Sequence, residues 1–124
     1  MEYISSLDIV HKDLAARNIL LDKDFSCKIS DFGINQPFRK VPIRWMAPES
    51  INKLLFTAAS DVWSYGVLLW EVWTFGMVPY PGMTDDEVVG RINQWYRLYK
   101  PNECPNEVYN IMLTCWKVNF LSFL

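Results

Sequence analysis

The chain has 124 residues and a net charge of −2 at neutral pH, so it is about one domain in size and can bury roughly two thirds of its unfolded surface. A charge so near balance, with no basic run interleaved with aromatics, argues against a general nucleic-acid binder. Cys27, Cys104 and Cys115 are odd in number and share no Cys-x-x-Cys spacing, which points away from a disulfide framework and towards small apolar fillers in a reducing compartment.

In chain order, residues 1–7 read as the end of a helix and Ile9-Val10 as a short strand. Met1-Glu2-Tyr3 lacks the basic flank and apolar run of a secretory leader. Ile19-Leu20-Leu21 and Cys27-Lys28-Ile29 are predicted strands joined at the polar cluster Asp22-Lys23-Asp24. Ser60 is the expected N-cap of the next helix, with Asp61 in its first turn. Val62, Trp63, Tyr65, Leu68, Leu69, Val72 and Trp73 wrap most of its circumference, the pattern of a helix buried on all sides. The apolar stretch from Val62 to Phe75 is too short to cross a bilayer and carries Glu71, so a cytoplasmic location is expected. Thr84-Asp85-Asp86-Glu87 opens a further helix with a capping-box pattern, and Asn106 to Trp116 forms the last one.

Chemistry concentrates between and beside the two strands. His11-Lys12-Asp13-Leu14-Ala15-Ala16-Arg17-Asn18 is followed by Asp31-Phe32-Gly33, so an Asp, an Asn and a second Asp recur at the spacing phosphoryl transfer uses. That reaction needs a carboxylate to receive a hydroxyl proton and oxygen ligands for the Mg²⁺ that bridges the phosphates. Asp13 suits the first task, and Asn18 with Asp31 the second. His11 is expected to be a packed, hydrogen-bonded residue, because a chain with one His has no imidazole pair for a metal or a triad.

These motifs, with Pro42-Ile43-Arg44-Trp45-Met46-Ala47-Pro48-Glu49, Ser60-Asp61-Val62-Trp63-Ser64-Tyr65-Gly66-Val67, Pro79-Tyr80-Pro81-Gly82-Met83, Cys104-Pro105 and Cys115-Trp116 in order, resemble the C-terminal lobe of a protein kinase over roughly residues 1–119. Leu14-Ala15-Ala16-Arg17 is similar to the insert of the tyrosine-specific branch. The resemblance implies an α+β fold, a mostly helical lobe with two to four short strands carrying the catalytic loop. It implies a partial C-terminal lobe over 1–124, a catalytic loop over 11–18 and a shortened activation segment over 31–49, with the N-terminal lobe and final helices missing. The implied function is transfer of the ATP γ-phosphate to protein tyrosines, with ATP and Mg²⁺ as cofactors. Partners would be a tyrosine-bearing protein and ATP, not nucleic acid, and a membrane only through a parent receptor. Asp13, Arg17 and Asn18 would be catalytic, Asn18 and Asp31 would hold metal and nucleotide, and Arg17, Pro42, Ile43, Arg44 and Trp45 would meet the peptide. His11, Phe32, Gly33, Glu49 and Asp61 would be structural, with His11 supporting Phe32 and Glu49 buried.

The chain also departs from the pattern. Ile34 to Met46 is about half the usual length and contains no Tyr, Ser or Thr, and Lys12 stands where an Arg commonly receives the activating phosphate. A point charge lacks the planar fork that pairs with a dianion, so no phosphorylation switch is expected. No Arg follows Arg97 to pair with Glu49, Trp95 replaces a Gly expected to be left-handed, and the chain ends in Phe120-Leu121-Ser122-Phe123-Leu124. Activity of these residues alone is not expected, and the alternative is a non-catalytic kinase-like binding module. A metal-only hydrolase would have carboxylates but lacks a His or Cys cluster.

Overall fold

Residues 10–21, 27–29 and 41–118 are described by the computed structural model of the chain. The expected helix end at 1–7, Ile9, the turn at 22–24, the Asp31-Phe32-Gly33 motif, residues 34–40 and the tail from Phe120 lie outside them. Val10 is irregular, not part of a strand.

Both predicted strands form. β1 (Ile19–Leu21) pairs antiparallel with β2 (Cys27–Ile29), with Ile19 opposite Ile29 and Leu21 opposite Cys27. Cys27 is exposed, which corrects its reading as a packed filler, whereas Cys104 and Cys115 are buried as expected. Along β2 exposure falls from Cys27 and Lys28 to the half-buried Ile29, so the first residue of the strand stands in water.

The rest is helical. α1 (Pro48–Lys53) starts with Pro at its first position, where the missing N–H costs nothing, and ends at Leu54 in the left-handed region. Glu49 lies in its first turn and is half-buried. This corrects the expected burial: a carboxylate beside free helix N–H groups and partly in water does not require an Arg partner.

α2 (Ala58–Trp73) begins three residues earlier than expected, with its cap at Thr57 in place of Ser60. Thr57 caps it, accepting the Ser60 N–H at 3.3 Å, while the Ser60 hydroxyl accepts the Thr57 N–H at 2.9 Å. Ser60 therefore takes the third helical position, the one Glu or Gln holds in the usual reciprocal box. The burial of α2 is also incomplete. Trp63, Val67 and Trp70 face the core, but Val62, Tyr65 and Val72 form an exposed edge, Val72 at 59%.

α3 (Asp85–Asn93) is capped as predicted, Thr84 accepting the Glu87 N–H at 3.2 Å. α4 (Asn106–Cys115) closes on α2 at Gly66. A Cβ there would stand 2.7 Å from both Cys115 Cβ and Trp116 Nε1, so the approach of the helices depends on a missing side chain. Around this contact Trp63, Val67, Trp70, Tyr80, Val88, Ile92, Leu98, Met112 and Trp116 form the core. Trp70 donates its indole N–H to the Tyr99 carbonyl at 2.9 Å, which satisfies the one polar atom it buries. Arg97 stacks against Trp63 at 4.7 Å and donates to the Trp116 carbonyl at 3.1 Å. Among the described residues, no helix is long and apolar enough to cross a membrane. The mostly helical body with one small sheet is the α+β architecture the motifs predicted.

Candidate active site

The segment from His11 to Asn18 makes only one short 3₁₀ turn, Ala16–Asn18, so its backbone polar groups need partners elsewhere. Asp61, buried on α2, supplies two. It accepts the His11 N–H at 2.6 Å and the Lys12 N–H at 3.0 Å, one on each oxygen. Lys12 sits at φ 72°, a left-handed conformation that a non-glycine residue holds only when its surroundings impose it. Asp61 is thus a floor beneath the loop, where the sequence suggested a charge in the first helical turn and a structural role without naming its partners. The Lys12 ammonium lies 5.4 Å from the centre of the Phe56 ring.

Within the loop, His11 is fully buried and its Nδ1 accepts the Asp13 N–H at 3.0 Å. This places the imidazole as the packed, hydrogen-bonded residue expected. Leu14 and Ala15 are fully buried, and they anchor the loop's apolar middle.

Asp13 is buried, and both its carboxylate oxygens have donors. Arg17 pairs with Oδ1, and Asn18 Nδ2 lies 2.7 Å from Oδ2 and 2.7 Å from the Asp13 carbonyl oxygen. Asp13, Arg17 and Asn18 are therefore brought together. Asp31, Phe32 and Gly33 lie outside the described residues.

Arg17 also reaches residues 42–45, which form a shelf beside the loop. Its guanidinium stacks on the Trp45 ring at 4.6 Å. Burial pulls the Arg17 pKa below its ordinary value, and the Glu71 carboxylate partly offsets this. The shelf contains a 3₁₀ turn, Ile43–Trp45, and its carbonyl end is fixed by the Ser64 hydroxyl, which donates to the Trp45 oxygen at 2.6 Å. Arg17 and residues 41–45, with Val78 and Asp85, line an open groove of about 400 Å³.

Arg44 occupies the wall of this groove, but its donors are engaged by the protein. It bonds Asp85 at 3.2 Å and the carbonyls of Pro79, Tyr80 and Met83 at 2.8, 3.0 and 2.5 Å. Its guanidinium staples the shelf to the approach of α3. Pro42, Ile43 and Trp45 lie along the same groove.

Glu71 is the group the sequence reading passed over. It is 8% exposed on α2, and its Oε1 accepts from the Ala16 N–H at 2.9 Å and the Trp45 indole N–H at 2.7 Å. The available signal was a carboxylate in an otherwise apolar helical run, since buried charges need partners.

The sequence matches the family model described as protein tyrosine and serine/threonine kinase over residues 1–121. It is 45% identical over 127 residues to mouse tyrosine-protein kinase Srms, covering 94% of this chain and 26% of that protein. Ephrin type-B receptor 2 of chicken is 45% identical over 131 residues, covering 94% and 13% respectively. The tyrosine kinase receptor Cad96Ca of Drosophila melanogaster is 45% identical over 127 residues, covering 94% and 16%. The chain spans between 13% and 26% of the length of these curated relatives. On the strength of the matched family and of the polar cluster around Asp13, the chain belongs to the protein-kinase family and to its tyrosine-kinase branch.

Proposed function

We propose that these residues form the peptide- and metal-facing side of a protein-tyrosine kinase, which transfers the ATP γ-phosphate to tyrosine hydroxyls of protein substrates. The observation that carries this reading is the Asp13–Arg17–Asn18 cluster joined to the shelf by the Arg17 stack on Trp45. Asp13 is the base, and the two donors on its carboxylate hold it in one orientation while a tyrosine hydroxyl gives up its proton. Arg17, between base and shelf, lies beside the position the substrate ring would take. Pro42, Ile43 and Trp45 support the peptide backbone, and Arg44 shapes the platform through its bonds to the carbonyls of Pro79, Tyr80 and Met83.

The donor set fits Mg²⁺. Asn18 directs its amide nitrogen at Asp13, which makes Oδ1 its ligand atom, and carbonyl and carboxylate oxygens are the ligands a small hard cation takes. Asn18 with Asp31 would hold the ion, whose charge would offset that of the phosphates. Residues 11–18 act as the catalytic loop and 31–49 as the activation segment. Because Ile34 to Met46 has no hydroxyl-bearing residue, the segment works without a phosphate switch, and the location is the cytoplasm or the cytoplasmic part of a receptor.

The test is transfer of labelled phosphate from Mg²⁺-ATP to a glutamate–tyrosine copolymer, using the protein in which these 124 residues occur. Asp13→Asn is expected to lower the rate by about 10²–10⁴, the usual worth of a general base. Equal rates for both forms overturn the assignment of Asp13, and phosphate on serine in place of tyrosine overturns the substrate class.

A further inference from the structure

Two segments that must cooperate on one substrate meet at a single atom of a third. Glu71 Oε1 accepts the Ala16 N–H from the catalytic loop and the Trp45 indole N–H from the shelf, at 2.9 and 2.7 Å. The two donors are thereby held within two hydrogen-bond lengths of each other. Arg17, the residue after Ala16, stacks on Trp45 and pairs with Asp13, so the base, the cation and the aromatic wall are referred to one carboxylate.

Resting on the kinase reading above, we propose that Glu71 is a positioning residue for the tyrosyl peptide, fixing the distance between the base-bearing loop and the peptide shelf. A carboxylate suits this place better than a neutral acceptor. It is buried on α2, its bonds are charge-assisted and about twice as strong as neutral ones, and it balances the cation of Arg17. Reactions that depend on orientation lose rate steeply when groups are displaced by about 1 Å. A peptide that lies on the shelf while its hydroxyl reaches Asp13 is sensitive to this one spacing. Asp61 has a different task, since its two oxygens accept from the loop backbone at His11 and Lys12.

The test uses the ¹⁵N-labelled 124-residue chain, with its six tryptophan indoles assigned by single Trp→Phe variants and a glutamate–tyrosine copolymer as the probe. Glu71→Gln keeps the shape and an acceptor oxygen but removes the charge. It is expected to speed solvent exchange of the Trp45 indole proton, and to weaken copolymer binding, by about tenfold each, the equivalent of one charge-assisted hydrogen bond weakened. Trp45→Phe is expected to weaken binding equally and to shift the Ala16 amide resonance. The double variant should bind no more weakly than Trp45→Phe alone, because both changes break one tether.

Unchanged indole exchange and affinity in Glu71→Gln overturn the proposal, as do fully additive losses in the double variant. Should Glu71→Gln show no cooperative melt, the Trp45→Phe chain decides: a shifted Ala16 amide supports the tether and an unmoved one overturns it. A wild-type chain whose Trp45 and Ala16 signals respond as expected but which takes up no copolymer supports the tether and overturns the peptide-platform reading instead.

Discussion

Trp70, Val67 and Met112 are fully buried where α2 and α4 meet, and that body is closed by apolar side chains and local caps. The loop of residues 11–18 lying on it contains one short turn and is held by two carboxylates from the same helix, Asp61 beneath His11 and Lys12 and Glu71 beneath Ala16. α2 therefore has two chemically distinct faces. One is a core surface whose loss would collapse the body, and the other is a polar floor whose loss would leave the body standing and release the loop. Burial resists substitution through volume, whereas the floor resists it through unsatisfied backbone groups.

The strongest way to break this division is Trp70→Ala. The side chain is fully buried and its indole satisfies the Tyr99 carbonyl, so the cost is expected at about 3–5 kcal/mol. Urea unfolding followed by far-ultraviolet circular dichroism checks it. A loss well below that range would mean the core repacks, and the contrast with the loop would weaken. Asp61→Ala should come next, at about 2–4 kcal/mol, because it strands the buried His11 N–H and the Lys12 N–H together. Its signature is different: amide exchange should quicken first between residues 11 and 18 while the α2–α4 amides stay protected.

Legibility in the sequence divides in the same way. The helix at Asp85 was readable because Thr84 caps it by accepting the Glu87 N–H, the first half of the common box, but the start of α2 was misplaced because its box is Thr57 with Ser60. A serine hydroxyl closes the same ring as a glutamate without matching its pattern. The apolar run from Val62 marked a buried helix, yet which edge stays open depends on what packs there, and Val62, Tyr65 and Val72 face water. Asp13, Arg17 and Asn18 were readable as neighbours because they fall within six residues of one loop. Glu71 was not, since its partners Ala16 and Trp45 become neighbours only when the chain folds, and the same holds for the bonds of Arg44 to the carbonyls of Pro79, Tyr80 and Met83.

Alkaline pH offers a milder probe of the core side. Burial raises the pKa of Tyr80 well above its ordinary 10.0, against smaller opposing effects of Arg97 and Arg44. The unfolded chain therefore loses this proton first, so the associated stability is intact below pH 10 and falls as pH rises beyond it, by up to about 1.4 kcal/mol per unit. Tyr80→Phe should flatten the stability profile above pH 10, measured by urea midpoints at stepped pH. An identical slope in both proteins would show that the ring is wetter than its burial indicates.

The smallest expected effect runs in the stabilising direction. Trp95 follows the end of α3 at φ 67° and is 67% exposed, so it has a left-handed backbone with little burial in return. A bulky L residue there carries about 1–2 kcal/mol of strain, while glycine adopts the conformation freely at an entropic cost of about 0.5–1 kcal/mol. The Arg97 guanidinium, 5.9 Å from the Trp95 ring, keeps its closer stack on Trp63 in the variant. Trp95→Gly should therefore raise stability by about 0.5–1 kcal/mol. Because the change lies on the apolar side of the division, it should leave Trp45 indole exchange and copolymer affinity unchanged. A Trp95→Gly chain that gained stability and also altered those signals would show that the body and the loop communicate through more than the two carboxylates.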